Sequence, residues 1–387
     1  MPYRAVALLA PLFAISLACL LSCAAPAASG VPQAADRPLT PSAPEAQAGW
    51  EPAWNALLEA ARREGKVVVK GPPTAAVRTE LPRAFRERFG VDLEYLGGPS
   101  SDVVTQLQLE RQGGVYSTDV ILAGADSMYT SIHPQGMLDP LLPALIHPAA
   151  LDPTGWPGGR LWFADPEQQY ILRLNNSLTQ MLYVNTTQVQ PETIRSWYDL
   201  LRPEYQGRIA SFDPTVSGAG ISTASYLHHA LGDDYTRRLF VDQKPVLTRD
   251  HRELADWLAR GIYPIALSLR EVEFAQIAQD GFPVTVLPNP PEAPGHVTAG
   301  FGLLGLLNGA PHPNAARLLV NWLASPEGMA VWSKAQRIVP VRTDLDASYA
   351  KDQVPDPNVT NYFDSFEWDF VVTERAQTMD WLRRQLR

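Results

Sequence analysis

The sequence predicts an α/β protein with two lobes, and three observations support this prediction. Helical segments of 10–15 residues alternate with short β-branched runs, which is typical of parallel βαβ units. The chain has 387 residues, about twice the length of an ordinary domain. A second α/β block follows the first, and the pattern of the first block then returns, so we expect two lobes joined by more than one crossing segment.

Composition excludes several classes of protein. A net charge of −9 argues against a nucleic-acid-binding protein, which needs a basic surface to displace counterions from phosphates. Hydrophobic residues at 45% and charged residues at 19% describe a folded, water-soluble chain. The two cysteines are too few for a disulfide framework or a cysteine-rich zinc site.

The first 22 residues are predicted to be a signal peptide. Arg4 precedes a short apolar run that ends in small residues at Cys23. The alternative, a permanent transmembrane helix, fits less well because the run contains Pro11 and lacks flanking charge. The segment Leu20-Leu21-Ser22-Cys23 resembles the bacterial lipobox, so we expect Cys23 to be lipidated and to anchor the protein to a membrane. In the other interpretation, Cys23 merely ends the signal peptide.

A Pro- and Ala-rich tether is predicted over residues 23–49. It contains almost no large apolar side chains, so its burial cannot offset the entropy lost on ordering. Such a segment would hold the folded body away from the membrane.

The first folded block is expected to form the beginning of lobe 1, over residues 50–150. Apolar periodicity predicts helices at 54–64, 79–89 and 101–112, and strands at 66–70, 91–96 and from Thr118. Ligands of parallel sheets bind beyond the carboxyl ends of the strands. The loops expected to face a ligand are 71–74, 97–101 and 123–128, with Gly71, Ser100, Ser101 and Ser127 as candidate binding residues.

The second block, residues 151–294, is predicted to form lobe 2. Its expected strands are YILRLNNS, MLYVN, GRIASFDP, YPIALSL and FPVTVLP, and its expected helices lie near 191–201, from TVSGAG to about Leu231, at RELADWLA and from Arg270. Residues 295–345 return to lobe 1, with a helix at 314–324. Residues 346–387 form a tail with a predicted helix in TERAQTMDWLRRQLR, which the sequence does not assign to either lobe.

Several stretches of the chain, in this order and spacing, resemble one protein family. They are EGKVVVKGPP, FRERFGVDLEYLGGPSSDVVTQLQLERQGGVYSTDVIL, GMLDPL, WYDLLRPEYQGRIASFDPTVSGAG and HPNAARLLVNWLASPEGMAVWSKAQRIVPVR. Together they resemble bacterial extracellular solute-binding proteins of the iron(III)-type periplasmic cluster. The resemblance implies a type 2 periplasmic-binding fold, a ligand cleft between lobes joined by crossing strands, and delivery of the ligand to the permease of an ABC importer.

The strongest local signal for a ligand is DPTVSGAGIS at residues 213–222. The segment leaves a strand and opens a helix at which Ser217 is an acceptable N-cap. Free backbone N–H groups there favour an anion. In the family this position can receive phosphate or carbonate, so the resemblance assigns Ser217, Gly218 and Ala219 to ligand binding. The alternative is an ordinary Ser-capped helix.

The iron-binding members of the family have adjacent tyrosines after the strand that reads YPIALSL here. This chain has Ser268-Leu269-Arg270 instead, and the loop at Gly71 lacks the histidine of some iron binders. Ferric ion prefers phenolate and carboxylate oxygens, whereas Arg270 could bind a carboxylate or phosphate through two hydrogen bonds. We therefore expect a small anionic solute, with Ser268 and Arg270 among its ligands and no metal or cofactor. In the alternative, Arg270 pairs with Glu271 or Glu273.

Other functions are less well supported by the sequence. Fe(III) binding through ligands other than a tyrosine pair is the first alternative, and a secreted hydrolase is a distant second. No G-x-S-x-G or phosphate-loop motif is present, so we expect a binding protein rather than an enzyme. Ser100, Ser101 and Ser127 could instead cap helices. The expected protein is a monomer, located outside the cytoplasm.

Overall fold

The computed structural model describes residues 49–356 and 362–386. The predicted signal peptide, Cys23 and all of the predicted tether except Gly49 lie outside these residues. Within the described ranges, no helix combines the length and apolar character required to cross a membrane.

The first half of the chain follows the predicted alternation. In order, its main elements are α1 (Trp50–Glu64), β1 (Lys66–Gly71), α2 (Ala75–Phe89), β2 (Asp92–Gly97), α3 (Ser100–Gln112), β3 (Val120–Ala123), α4 (Ala125–Ser127), β4 (Leu138–Asp139), α5 (Pro148–Leu151), β5 (Ile171–Arg173), β6 (Ser177–Leu178) and β7 (Leu182–Asn185). Helix α2 begins four residues before the predicted Thr79 and contains Pro82 in its interior.

The second half adds the remaining elements. They are β8 (Ile209–Phe212), α6 (Ala219–Arg237), β9 (Val246–Thr248), α7 (His251–Ala259), β10 (Ile265–Leu267), α8 (Glu271–Gln279), β11 (Val284–Leu287), β12 (His296–Thr298), β13 (Leu303–Leu307), α9 (Pro313–Ala324), α10 (Pro326–Gln336), β14 (Phe363–Asp364) and α11 (Ala376–Gln385). The predicted helix at 191–201 is wrong. Two 3₁₀ segments, Pro191–Thr193 and Trp197–Leu201, take its place, because a capping box formed by Ser196 and Asp199 starts the second segment anew.

Lobe 1 contains a six-stranded sheet with the order β2-β1-β3-β13-β4, and β5 also pairs with β13. Strands β1, β2 and β3 are parallel, as predicted, whereas β13 runs antiparallel to its partners. The predicted start of lobe 2 at residue 151 is therefore too early. Leu161, Phe163 and Leu172 are buried in the lobe 1 core, because β5 pairs with β13, a strand that lies far along the chain.

Lobe 2 contains a five-stranded sheet with the order β11-β7-β10-β8-β9. Strands β8, β9 and β10 are parallel, so β8 and β10 end at the same edge. Helices cover both faces: one core includes α6 residues such as Leu227, and the other includes α7 residues such as Leu254. The loops that follow β8 and β10 are thereby brought side by side.

A three-stranded sheet with the order β14-β12-β6 connects the lobes. The chain passes through β6 on its way from β5 to β7, and through β12 on its way from β11 to β13. These two strands pair antiparallel. The predicted crossing segments are present, and a third strand from the C-terminal tail joins them.

Candidate ligand cleft

The loop between β8 and α6 leads to a helix N-terminus that no described side chain caps. The N-cap residue is Gly218, with φ of 139°, so the expectation that Ser217 caps the helix is wrong. The reason is steric, because a residue with a side chain rarely adopts this conformation. A Cβ atom on Gly220 would lie 2.3 Å from the carbonyl oxygen of Phe212. Both glycines let the helix start close to the end of the strand, and the first N–H groups of a helix have no partner within the helix itself.

Asp213 holds this loop in shape. Its Oδ1 accepts hydrogen bonds from the Thr215 backbone N–H at 2.8 Å and from the Thr215 hydroxyl at 2.6 Å. Its Oδ2 accepts a bond from Arg249 Nε at 2.8 Å. Burial favours the neutral acid, but the hydrogen bonds from Thr215 and the charge of Arg249 outweigh it and lower the pKa of Asp213. The loop is therefore held by an ionised carboxylate.

Ser268 lies at the end of β10, beside this loop. The register pairs Leu267 with Ser211 of β8. Ser268 has φ of 63°, a left-handed conformation that costs a residue with a side chain ~1–3 kcal/mol. It is 3% exposed, and its hydroxyl finds no hydrogen-bond partner within the described part of the chain. The strain and the unsatisfied buried donor make Ser268 a candidate functional residue.

Arg270 pairs with a carboxylate of the helix that it precedes, α8. Its guanidinium donates two hydrogen bonds to Glu273, one of them at 3.0 Å, so the alternative pairing is the one observed. Burial, followed by the charge of Arg270, lowers the pKa of His251 well below its usual value. The His251 ring stacks on Phe212 at 4.1 Å between centroids. Arg270 follows β10, which pairs in parallel with β8, so it lies at the same sheet edge as the β8–α6 loop, and an anion bound there would compete with Glu273 for its guanidinium.

A cavity of about 290 Å³ opens between α8 and the segment that follows α10. Its lining consists of Glu271, Arg337, Ser348, Tyr349, Ala350, Lys351, Asp352 and Gln353. Burial raises the pKa of Glu271 to about 7, although the charge of Arg337 opposes the rise. Apart from Glu271, these residues carry no sequence motif that predicts ligand binding. Arg337 has φ of 53°, and such strain has no signature in a single sequence.

The lobe 1 wall is built from the loops after β1 and β2. The Gly98 N–H donates to the Gly71 carbonyl at 3.0 Å, and the Tyr95 hydroxyl donates to the Pro72 carbonyl at 3.0 Å. A Cβ atom on Gly71 would lie 2.4 Å from the Tyr95 hydroxyl oxygen. Gly71 therefore serves the close approach of two loops, and its sequence-predicted contact with ligand stays a prediction.

The same wall is tied to the end of α10. The Thr74 hydroxyl donates to Gln336 Oε1 at 3.1 Å. Gln336 immediately precedes Arg337, which lines the cavity. The loop after β1 consequently lies beside the residues that face Glu271 of lobe 2.

The predicted serines of lobe 1 are spread over two loops. Ser100 is the first residue of α3, but Pro99 is the N-cap and neither Ser100 nor Ser101 caps the helix. Ser101 Oγ instead donates to Asp102 at 3.1 Å. Ser127 is 6% exposed at the end of α4. None of the three lines the described cavity.

The chain matches a known family over most of its folded part. A family model described as bacterial extracellular solute-binding protein matches residues 80–361. This is more than half of the chain, and the protein therefore belongs to the bacterial extracellular solute-binding protein family. Membership implies a small-molecule ligand, an ABC permease partner and a location outside the cytoplasm, in a family of proteins that generally bind rather than catalyse. No curated protein matches the chain.

Solved structures share the two-lobed fold. Iron-bound HitA from Pseudomonas aeruginosa superposes with a TM-score of 0.62 at 16% identity, covering 83% of this chain and 99% of HitA. AfuA from Actinobacillus pleuropneumoniae, with fructose-6-phosphate bound, gives 0.61 at 19% identity, covering 83% and 98%. IdiA (FutA) from Trichodesmium, in complex with iron and citrate, gives 0.58 at 16% identity, covering 83% and 99%. The fold is thus common to proteins with different ligands.

Proposed function

We propose that this protein is the solute-binding component of an ABC importer for a small anionic solute, with the acidic group of the solute bound at the N-terminus of α6. The observation that carries the proposal is the uncapped start of α6 at Gly218. Backbone N–H groups and the helix dipole favour an anion at such a place, by up to ~2 kcal/mol when it is partly buried. Ser217 and Ala219 flank the same position.

Two neighbouring groups support an anion in preference to a neutral ligand. Arg270 follows β10, the strand that pairs in parallel with β8, so it lies at the same sheet edge as the β8–α6 loop. Ser268 contributes a buried hydroxyl that lacks a partner in the described structure. The net charge of −9 opposes an anion at long range, so capture must depend on these local donors.

The solute class that fits is phosphorylated, phosphonate or carboxylate. The fold is shared with AfuA, which binds fructose-6-phosphate, and with proteins that bind iron. The cavity beside Glu271 is lined by both carboxylates and cationic side chains. Because carboxylates accept hydrogen bonds and cationic side chains donate them, this lining suits a solute that carries hydroxyl groups in addition to its acidic group. Binding of the solute between the lobes would shift the population toward the closed state.

Calorimetric titration tests this function with four probes: fructose-6-phosphate, inorganic phosphate, citrate and Fe(III). We expect at least one of the three anions to bind without Fe(III), and Arg270→Gln to weaken that binding about tenfold or more. Arg260→Gln is the matched control, because Arg260 also pairs with a carboxylate on its own helix, Asp256, but is 67% exposed. An equal loss of anion affinity in both variants, or binding of Fe(III) alone, contradicts the proposal.

Iron binding would require a different set of ligands. Glu271 and Glu273 supply carboxylates at the place where iron-binding members of the family have tyrosines. If Fe(III) alone binds and Glu273→Gln abolishes this binding, the protein is an iron-binding member with carboxylate ligands.

We also propose that Cys23 carries the lipid anchor. The basis is the sequence Leu20-Leu21-Ser22-Cys23. We expect the wild-type protein to fractionate with membranes and Cys23→Ala to be released. Release of both proteins would contradict lipidation at this residue.

A further inference from the structure

The C-terminal tail, residues 362–386, contacts both lobes and the strands between them. The sequence assigns the predicted tail, residues 346–387, to neither lobe, and residues 362–386 lie beyond the end of the family match at residue 361. Its first contact is with the crossing strands: β14 pairs in parallel with β12, with Phe363 opposite His296 and Asp364 opposite Val297. Asp364 also accepts two hydrogen bonds from Arg173 Nη1, at 2.9 and 3.0 Å. Because Arg173 is almost completely buried at the end of β5, the tail is fixed to the point where the chain leaves lobe 1.

The tail next enters the core of lobe 1. Phe366, Phe370 and Val371 are each at most 6% exposed and belong to the apolar cluster that contains Tyr129. The Tyr129 hydroxyl donates to the Phe366 carbonyl at 3.0 Å. Trp368 stacks on the Tyr129 ring at 4.4 Å between centroids. This part of the tail therefore belongs to the hydrophobic core of lobe 1.

The tail then continues into lobe 2 as α11. Leu382 is fully buried in the lobe 2 core, where Met379 and Trp381 also pack. On the way, Glu374 Oε2 lies 2.9 Å from His229 Nδ1 of α6. The tail therefore makes a third passage between the lobes, after those at β6 and β12.

Two arginines of the tail reach the candidate ligand loops of both lobes. Arg375, 2% exposed, places Nη1 3.4 Å from Asp126 Oδ1 in the short helix α4, within the 123–128 segment that follows β3. Arg383 Nε donates to the carbonyl of Thr215 at 2.8 Å. Thr215 belongs to the β8–α6 loop that Asp213 shapes from the other side. One continuous segment is therefore bonded to a loop of each lobe.

We propose that the C-terminal tail is a strap that positions the ligand loops of both lobes and restrains the movement of one lobe against the other. Hinge closure bends the crossing strands, and a third strand with buried anchors on both sides must bend with them. Arg383 is a positioning residue, because it acts on a ligand through the loop at Thr215. The proposal rests on the proposed function only in regarding these loops as ligand loops.

Hydrogen exchange of the full-length protein, measured by mass spectrometry without ligand, tests the positioning role. In Arg383→Gln we expect amides of residues 213–222 to exchange about tenfold faster, with Arg383→Lys restoring part of the protection, since its ammonium can donate to the same carbonyl. Arg384→Gln is the matched control: Arg384 is exposed, carries the same charge and lies on the same helix. Equal exchange of 213–222 in Arg383→Gln and Arg384→Gln overturns this role.

Leu382→Ala tests the restraint between the lobes, because it weakens docking of α11 on lobe 2 without touching the crossing strands. We expect faster exchange in residues 177–182 and 296–299, unchanged exchange in β1 and β8, and a broader distance distribution in small-angle X-ray scattering. A uniform rise across lobe 2, or faster exchange in α11 alone, shows that α11 is only a core helix and overturns the restraint.

A final titration separates this inference from the proposed function. With fructose-6-phosphate as the probe, Arg383→Gln should bind about threefold to tenfold more weakly than Arg384→Gln. If the wild-type protein binds none of the anions, the proposed function fails, while the ligand-free exchange experiments still decide the strap.

Discussion

The two walls of the cleft differ in how their polar groups are satisfied. The lobe 1 loops bond to one another, as in the pair formed by Gly98 N–H and the Gly71 carbonyl. The lobe 2 wall keeps an uncapped helix start at Gly218, a strained Ser268 with an unsatisfied hydroxyl and a carboxyl with a raised pKa at Glu271. The loops after β1 and β2 thus satisfy their polar groups within lobe 1, whereas the unsatisfied groups lie on the lobe 2 wall and at Gln336 and Arg337 at the end of α10.

The largest expected effect is the titration of Glu271. Its pKa rises from the ordinary 4.5 to about 7, so the folded state favours the protonated acid. Stability from this group is fully present below pH 4.5 and is lost as pH rises to about 7, by up to about 3 kcal/mol. Urea unfolding across this range should show the loss in the wild type and not in Glu271→Gln. Parallel pH profiles of the two proteins would contradict the assignment.

A methyl group at Gly220 should have the next largest effect. It would lie 2.3 Å from the Phe212 carbonyl oxygen and 2.7 Å from that of Asp213, and neither backbone atom can yield cheaply. We expect Gly220→Ala to destabilise the protein by about 2 kcal/mol and to abolish anion binding. Gly98→Ala on the lobe 1 wall is the control, because its Cβ would meet Val103 at an ordinary 3.6 Å. Urea unfolding and calorimetry should separate the two variants, and similar losses in both would remove the contrast between the walls.

Replacing Ser268 should have a smaller effect of opposite sign on stability. Ser268→Gly relieves the left-handed conformation and removes an unsatisfied buried hydroxyl, so we expect stabilisation by about 1 kcal/mol. Anion affinity should fall at the same time if the hydroxyl contacts ligand. Thermal unfolding with and without fructose-6-phosphate measures both quantities. Stabilisation with unchanged affinity would show that Ser268 only shapes the strand end.

The smallest effect is expected on the outer surface of lobe 1. Arg83 pairs with Glu80 and Glu87 on α2 and is 57% exposed. Exposed ion pairs contribute little, so Arg83→Gln should change neither Tm nor anion binding beyond measurement error. A clear decrease in Tm would show that α2 depends on these pairs.

The α/β class, the family and the order of most elements could be predicted from sequence alone. β-branched runs such as Val67–Val69 form buried strands in the structure, and Gly65 and Gly90 end helices where expected. These features are local, because hydrophobic periodicity and helix-terminating glycines act within a few residues. The loop at 213–222 was also found from sequence, since a glycine-rich strand-to-helix turn is a local signal.

Which elements and side chains pair with one another could be read only from the folded structure. In the structure, β5 belongs to lobe 1 because it pairs with β13. Arg270 is hydrogen-bonded to Glu273, and the tail packs in the cores of both lobes. Each of the lobe assignments depends on pairing between residues far apart in the chain, and such pairing has no periodicity in one sequence. The strain at Ser268 and the burial of Glu271 likewise exist only once the lobes are packed, because a backbone angle and a pKa respond to surroundings that the local sequence does not contain.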